Sequence, residues 1–424
     1  MVAYIIAFFT SLFSNTELWV RMGALLCSVG TSIVIFLLCV DLFNDEKTGF
    51  FSVLLLNLLP VFNLGAILIL PDTPLALFWM LTLYSVYRAT QNKGVKWWYL
   101  SGIFLALSFL SKYFAVLLIP TVFLYLLVSK ENRIHLLKKE VYLTILIGLA
   151  GLIPSVVWNY QHNWASFVYH LESRHIGAGL SFRNIGLYLG GQVGFITPLV
   201  WILCVYCLIK IGIKHRKNNL LFLFSASIPT FLFFTVIGCL SPDFKPHWTA
   251  LSYIPLCIAV VYLIGKKLKI AAFVSALPFT LLIYIQSLFP LLPLEPKFDI
   301  TSELYGWEQV GEKTASIADE MSSEYLTFLF TNRWMLSGRL AFYTEGKYLV
   351  TSIDPKVEQY DFWVPLDSLK GYNAVFVTDS HFRVDPSKKF KFDSFIPEVP
   401  LEIYRYGKKT KEFYIWKCYN FHGR

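Results

Sequence analysis

The sequence predicts a polytopic α-helical membrane protein of about ten transmembrane helices with a C-terminal soluble α/β domain. Of its 424 residues, 56% are hydrophobic and only 15% are charged, against roughly 25% in soluble domains. The deficit of charged residues is confined to residues 1–290, which hold 20 Lys and Arg but 9 Asp and Glu. Residues 291–424 hold 17 Lys and Arg and 19 Asp and Glu. We therefore predict a multi-span membrane domain over 1–290 and a soluble domain over 291–424.

The membrane domain reads as apolar runs separated by short polar breaks. A helix needs about 20 apolar residues to cross a bilayer. The first 13 residues are too short for this, and we expect them to form a helix that lies along the membrane surface. The remaining runs predict ten spans, at 19–41, 48–70, 73–88, 98–111, 113–128, 141–158, 185–209, 219–239, 248–264 and 269–290.

Basic residues in the loops predict the orientation. One set of alternating loops holds 15 Lys and Arg, and the other holds four. Because basic loops stay in the cytoplasm, the first set is predicted to be cytoplasmic. Asp72, the loops at 159–184 and 240–247, and the soluble domain then lie on the outer face. The net charge of +9 therefore reflects membrane topology, and we expect no nucleic-acid partner.

The soluble domain has the pattern of a small α/β fold. Residues 306–321 place apolar side chains on one helical face. It contains no recognisable phosphate loop, metal-ligand spacing or nucleophile motif, so a lid or docking role is favoured over a catalytic one. Four β-branched and aromatic runs predict strands, at 325–332, 339–344, 374–379 and 411–417.

A carboxylate stands between two apolar runs in "LILPDTPLALFW", residues 68–79. Nearly all acidic and basic residues of the outer face lie at the ends of apolar spans, where the phosphate of a lipid carrier would lie. Cations there can bind a phosphate through charge-assisted hydrogen bonds, and Asp72 could accept a proton from an acceptor hydroxyl. Alternatively, Asp72 only caps the helix that follows it.

Aromatic and amide side chains gather in "WNYQHNW", residues 158–164. Trp158 and Asn159 could bind a sugar, by stacking on its faces and hydrogen bonding to its hydroxyls. The alternative is an interfacial aromatic belt, which needs no ligand. A divalent metal is possible, because Asp72, Glu172, Asp243 and nearby histidines could supply ligands, although no spacing demands one.

Several sequence segments, in the order in which they occur along the chain, resemble the bacterial dolichyl-phosphate-mannose–protein mannosyltransferase-like family. They are "PDTPLALFW", "WWYLSGIFLALSFLSKYFAVLLIPTVFLYLL", "PSVVWNYQHNWASFVYHLESRH" and "KPHWTALSYIPL", with "LYGWEQVGEK", "GRLAFYTEGK" and "QYDFW" in the soluble tail. That family has the GT-C membrane fold, which the lipid A aminoarabinose transferase shares. The resemblance implies transfer of a sugar, with inversion, from a polyprenyl-phosphate carrier to a protein, lipid or glycan acceptor. The reaction would take place on the outer face of the bacterial cytoplasmic (inner) membrane.

The resemblance also assigns roles to residues. Asp72 matches the acid of the second outer loop and is expected to be catalytic, and Lys112 matches the lysine of an S-K motif. Lys245 and His247 match the family's polar stretch before the predicted span at 248–264. The residues expected to bind the lipid phosphate or the sugar are Lys112, Arg174, His175, Lys245, His247, Asn159 and Trp158.

The chain departs from the family at its N-terminus, where the family's extra helix and first-loop acid are missing. We therefore expect either a chain that starts late or an altered, inactive member. The alternative function is a non-catalytic partner or a protein that binds or transports lipid-linked sugars. A transporter usually needs ionisable residues or broken helices near the membrane midplane. The sequence indicates neither, which weighs against transport.

Overall fold

The computed structural model describes residues 1–169, 179–214, 217–292, 294–295, 299–322, 326–354 and 357–423. The chain forms two units, Met1–Leu281 and Leu282–Arg424. This division falls somewhat before the boundary predicted at 290/291.

The first unit is helical. Short 3-10 turns at Tyr113–Leu117, Arg133–Leu137 and Pro246–Thr249 connect several of its helices. Its α-helices are α1 (Val2–Leu12), α2 (Glu17–Phe43), α3 (Glu46–Asn57), α4 (Pro60–Ile67), α5 (Asp72–Thr90), α6 (Lys96–Ser111), α7 (Leu118–Val128), α8 (Lys139–Ala150), α9 (Ile153–Gln161), α10 (Ala165–Val168), α11 (Phe182–Ile196), α12 (Pro198–Lys214), α13 (Asn218–Leu240), α14 (Ala250–Leu263) and α15 (Lys266–Leu288), the last of which continues into the second unit.

These helices are those of a membrane-embedded protein. Among the described residues, four stretches are long and apolar enough to span a bilayer: α2, α13, Pro246–Leu263 and α15. The number rises to seven if each of three bent helix pairs counts as one span. The exact count of ten spans stays a prediction. The predicted N-terminal helix is present as α1, and the predicted break between 98–111 and 113–128 is present at Lys112.

Three of the predicted spans are bent pairs of helices rather than continuous helices. Helix α4 is bent by 74° from α3, α9 by 40° from α8, and α12 by 103° from α11. Proline stands at the first position of α4, where it starts a new helix readily. At the largest bend, Thr197 has φ of +67°, an uncommon conformation for a β-branched residue.

The helices differ in how much of their surface the protein covers. Helix α14 is buried on almost every side, and residues 251–261 are all buried. Helix α15 is mostly uncovered by protein along its apolar stretch. Because an apolar surface that protein does not cover must face lipid in a membrane-embedded chain, α14 is a core helix and α15 is a peripheral one.

In its described residues, the second unit has a six-stranded mixed sheet and the α-helices α16 (Trp307–Met321), α17 (Trp334–Tyr343) and α18 (Gln359–Trp363). The strand order is β2-β1-β3-β6-β4, and β5 also pairs with β6. Pairing is parallel among the first three strands in this order and antiparallel wherever β6 takes part. The strands are β1 (Thr327–Thr331), β2 (Val350–Ser352), β3 (Asn373–Asp379), β4 (Phe392–Pro397), β5 (Leu401–Arg405) and β6 (Lys408–Phe421).

Alternation along the strands gives the sheet an apolar core on each face. Leu329 packs in a cluster with α16 and α17, whereas Phe328 and Phe330 belong to a cluster that also contains Phe376. This is the period-2 pattern of a strand covered on both sides. The predicted helix at 306–321 and the strands predicted at 325–332, 374–379 and 411–417 are confirmed within the described residues.

One predicted strand is wrong. Residues 339–344 fall mainly in α17. The buried side chains of that helix include Leu336 and Leu340, and a spacing of four places both on one helical face. A run of six apolar and aromatic residues is too short to distinguish the period of a helix, 3.6 residues, from that of a strand, two residues.

Candidate active site

Asp72 is the first residue of α5, directly after Pro71. The N-cap position belongs to Pro71, and that residue makes no side-chain capping hydrogen bond. Both oxygens of the Asp72 carboxylate accept hydrogen bonds from the Lys112 ammonium, at 2.8 and 2.9 Å. The carboxylate is therefore engaged with a cation 40 positions away, which the capping interpretation does not explain.

Lys112 reaches Asp72 because α6 ends at Ser111 and the chain then becomes extended, with φ −162° and ψ 143°. The Lys112 and Asp72 side chains are 21% and 26% exposed. The ammonium lies 4.4 Å from the ring centre of Phe114 and 6.0 Å from that of Trp248. Aromatic faces attract cations, and reduced contact with water strengthens the ion pair.

Trp248 brings a third segment to this point. It belongs to the turn Pro246–Thr249, which Lys245 precedes. Its ring packs edge to face on Phe114 and Phe244, both at 5.4 Å, and lies 6.5 Å from the ring of His247. The structure thus brings together Asp72, Lys112 and the segment that carries Lys245 and His247.

A buried hydrogen-bond chain holds this segment. Gln192 donates to the Pro246 carbonyl at 3.0 Å and accepts from the Tyr253 hydroxyl at 2.8 Å. The Trp201 indole donates to the same hydroxyl at 3.1 Å. Gly191 packs against Pro246 so closely that a Cβ there would lie 2.3 Å from the proline ring. These residues were not predicted, since only the fold joins them.

Phe167 of α10 connects the "WNYQHNW" segment to the residue after Lys112, since its ring lies 5.7 Å from that of Trp164 and 6.2 Å from that of Tyr113. Asn159 is buried, and its amide donates to the Ser155 carbonyl at 2.9 Å and accepts from the Ser166 amide at 3.1 Å. The Asn159 side chain therefore holds this turn.

The aromatic part of the same segment is also packed locally, since the Trp158 ring stacks on His162 at 4.2 Å. Two of the predicted binding residues, Arg174 and His175, lie outside the described residues, as does Glu172.

A second charged cluster lies in the soluble unit. Ligand atoms of Glu303, Asp379 and His381 come within 4.8 Å of one another. In the part of the chain that the structure describes, no other group of three potential metal ligands gathers in this way. Sequence spacing could not reveal it, because the three residues come from separate segments.

The centre of this cluster is held by a lysine. The fully buried Lys411 ammonium lies 2.9 Å from Glu303 and 3.0 Å from Asp379. Burial raises the pKa of the Glu303 carboxyl, but Lys411 and Arg339 outweigh it and leave that pKa below its ordinary value. The protein's own cation thus compensates these carboxylates.

The sequence and the fold of the chain resemble those of known proteins. The family model of dolichyl-phosphate-mannose-protein mannosyltransferases matches residues 1–158. A lipid A galacturonosyltransferase, RgtD of Rhizobium johnstonii, is 23% identical over 397 residues, which cover 90% of this chain and 81% of that protein.

The fold matches ArnT of Cupriavidus metallidurans. The crystal structure of ArnT bound to undecaprenyl phosphate aligns with a TM-score of 0.65 and 13% identity, over 98% of this chain and 87% of that one. The apo structure aligns with the same TM-score and 14% identity, over 98% and 86%. The predicted family resemblance and the predicted fold class are thereby confirmed. The chain thus has the GT-C membrane fold and is similar to the lipid A galacturonosyltransferase RgtD and to ArnT.

Proposed function

We propose that this chain moves a sugar from a polyprenyl-phosphate carrier to an acceptor at the outer face of the bacterial inner membrane, with inversion. The observation that carries the proposal is the Asp72–Lys112 ion pair, placed where α5 begins and α6 ends. In this proposal residues 1–290 form the catalytic membrane domain, and residues 291–424 form an extracytoplasmic domain.

The ion pair suggests how donor binding prepares the reaction. A carboxylate that accepts two hydrogen bonds from one ammonium, as Asp72 does, is poorly available as a proton acceptor. A donor phosphate gives Lys112 a second anionic partner, and the negative charge of this phosphate grows as its bond to the sugar breaks. When Lys112 turns to the phosphate, Asp72 is released as a general base.

The chemistry that follows is a single displacement. The acceptor oxygen bonds to the anomeric carbon, its proton passes to Asp72, and the bond from that carbon to the carrier phosphate breaks. Attack opposite to the leaving phosphate inverts the anomeric carbon. Lys112, Lys245 and His247 would hold the charge on the departing phosphate, while Trp158, Arg174 and His175 would contact the sugar or carrier.

The relatives guide the choice of substrates. The ArnT crystal structure holds undecaprenyl phosphate, which supports a polyprenyl-phosphate donor here. RgtD is named for lipid A, so a lipid is the first acceptor to test. The 15-to-4 division of basic residues between the two sets of loops supports the outer-face orientation.

A matched pair of substitutions tests the proposal. Asp41 binds Arg88 at 2.7 Å with side chains 27% and 26% exposed, so it copies the Asp72 ion pair at the opposite end of α5. With labelled polyprenyl-phosphate sugars in detergent, we expect Asp72→Asn to slow transfer by about a hundredfold to ten-thousandfold. Asp41→Asn should keep the rate.

The result that would contradict the proposal is transfer by Asp72→Asn at the rate of Asp41→Asn. Donor binding without product formation by the unmodified chain would instead favour a carrier-binding protein. Donor binding is therefore measured beside transfer for all three proteins.

A further inference from the structure

The last membrane helix ends against a hairpin of the soluble unit. Helix α15 is mostly uncovered by protein and ends at Leu288. Strands β5 and β6 turn at Tyr406 and Gly407, and the residues on either side of this turn contact the helix end. All of these contacts lie within the unit Leu282–Arg424.

Two basic residues of the hairpin bind the carbonyls at this helix end. The Arg405 guanidinium donates to the carbonyls of Gln286, at 3.0 Å, and of Ser287. The Lys408 ammonium donates to the Pro290 carbonyl at 3.1 Å. The last carbonyls of a helix lack partners inside it and carry its negative dipole end, so the hairpin caps α15.

Aromatic contacts reinforce the cap. The Arg405 guanidinium stacks over the Tyr305 ring at 3.9 Å, and the Tyr305 hydroxyl donates to the Ser287 carbonyl at 2.5 Å. Arg405 itself is almost fully buried. The hairpin is therefore fixed to the end of the last membrane helix by packed contacts.

Exposed apolar side chains surround the cap. Leu288, Phe289 and Leu291 are each more than half exposed, and Tyr406 is 72% exposed. The ring of Tyr406 lies 5.2 Å from that of Phe289. In water this cluster would be an unfavourable surface, but it lies at the end of α15, whose apolar stretch is mostly uncovered by protein.

We propose that the hairpin tip, Tyr406–Gly407–Lys408, lies in the lipid headgroup layer at the side of the bilayer where α15 exits. Tyrosine suits that layer because its ring is apolar and its hydroxyl is polar. An ammonium has three donor hydrogens, so Lys408 can contact a lipid phosphate while it caps the helix. The partner of this surface is the phospholipid bilayer.

This contact would orient the whole soluble sheet. Strand β6 pairs with β3, β4 and β5, so a hairpin held at the bilayer fixes the strand that joins most of the sheet. The proposal is independent of the transferase activity, because neither the hairpin nor its contacts include Asp72 or Lys112.

Fluorescence quenching in nanodiscs tests it with the full chain. Of the seven cysteines, only Cys239 is not buried, so Cys239→Ser removes the background site. Tyr406→Cys is labelled with an environment-sensitive dye in nanodiscs of phosphatidylethanolamine and phosphatidylglycerol. The lipids carry a nitroxide either in the headgroup or deep in the acyl chain.

Val399→Cys is the matched control. Val399 is 83% exposed and lies at the opposite end of β5, about 20 Å from the tip at 3.3 Å per residue. We expect the headgroup nitroxide to quench the label at 406 more than the acyl-chain nitroxide does, and neither to quench the label at 399.

Equal quenching at 406 and 399 would overturn the proposal, as would stronger quenching at 406 by the deep nitroxide. A label at 406 that is shielded from both nitroxides, and also from a water-soluble quencher, would indicate a protein partner instead. If Tyr406→Cys fails to fold, Tyr404→Cys gives the same measurement, since Tyr404 is 57% exposed near the same end of β5.

Discussion

The coupling between Asp72 and Lys112 can be measured by a double-mutant cycle. The cycle consists of Asp72→Asn, Lys112→Met and the double variant. Exposed ion pairs contribute about 0–1 kcal/mol, and loss of one partner from a fully buried pair costs about 3–5 kcal/mol. The two side chains are 26% and 21% exposed, so we expect an intermediate coupling of about 1–3 kcal/mol.

The assay is reversible unfolding in mixed micelles, with transfer rates measured on the same samples. Met replaces Lys because it keeps an unbranched apolar chain against the rings of Phe114 and Trp248. If Asp72 is the base and Lys112 binds the phosphate, each single variant should lose transfer. The double variant should then not regain it, although part of its stability returns.

Two outcomes would refute this reasoning. A coupling energy below about 0.5 kcal/mol is what independent sites show, and it would mean that the ion pair does not form in solution. Transfer restored in the double variant would mean that the pair only balances charge. The Asp41–Arg88 cycle is the control, and it should show similar coupling without loss of transfer.

Three further changes have defined outcomes. Burial raises the pKa of Glu358 to about 7 from 4.5. The contribution of this protonated carboxyl to the stability of the folded chain is fully present below pH 4.5 and is lost as pH rises through 7. The stability of the unmodified chain relative to Glu358→Gln should therefore fall over this range in pH-dependent unfolding, and a constant difference would contradict this. Lys411→Met should lower stability by about 3–5 kcal/mol, because buried carboxylates lose their cation. Zn²⁺ should restore part of this loss in thermal unfolding, and Zn²⁺ should leave the unmodified chain unchanged. Tyr253→Phe removes a hydroxyl that is hydrogen-bonded to Gln192. It should lower the free energy of unfolding by about 1–3 kcal/mol and should also slow sugar transfer. Tyr125→Phe, which loses a buried bond to Asn132, should cost stability alone.

The features predicted from sequence are those that depend on neighbouring residues in the chain. Apolar runs and basic loops indicated a membrane protein, and the polar breaks at Pro71–Asp72 and Ser111–Lys112 indicated where polar groups would gather. Helices α5 and α6 are consecutive and joined by a short loop. The start of α5 and the end of α6 therefore meet, which explains why Asp72 and Lys112 could be predicted together.

The features that were missed depend on distant residues or on single backbone angles. Gln192 contacts Pro246 and Tyr253 across more than 50 positions, and no local pattern distinguishes it from another polar residue in a glycine-rich helix. The 103° bend after α11 depends on the conformation of Thr197. Hydropathy averages over such a position and shows one continuous span.

The two ends of α5 show why an ion pair alone does not define the site. Asp72 in the first turn and Arg88 in the last both suit the helix dipole, and both pairs have aromatic neighbours, since Arg88 lies 5.0 Å from the ring of Trp97. The difference lies in the surrounding backbone. At the Asp72 end, the chain is interrupted at Pro71, at Lys112 and at Pro246, and Trp248 of the last turn lies 6.0 Å from the Lys112 ammonium. The Arg88 guanidinium instead has the Tyr84 hydroxyl as a second neighbour, at 3.3 Å. We propose that the donor phosphate binds at these breaks beside Lys112, and transfer is therefore expected to depend on Asp72 and not on Asp41.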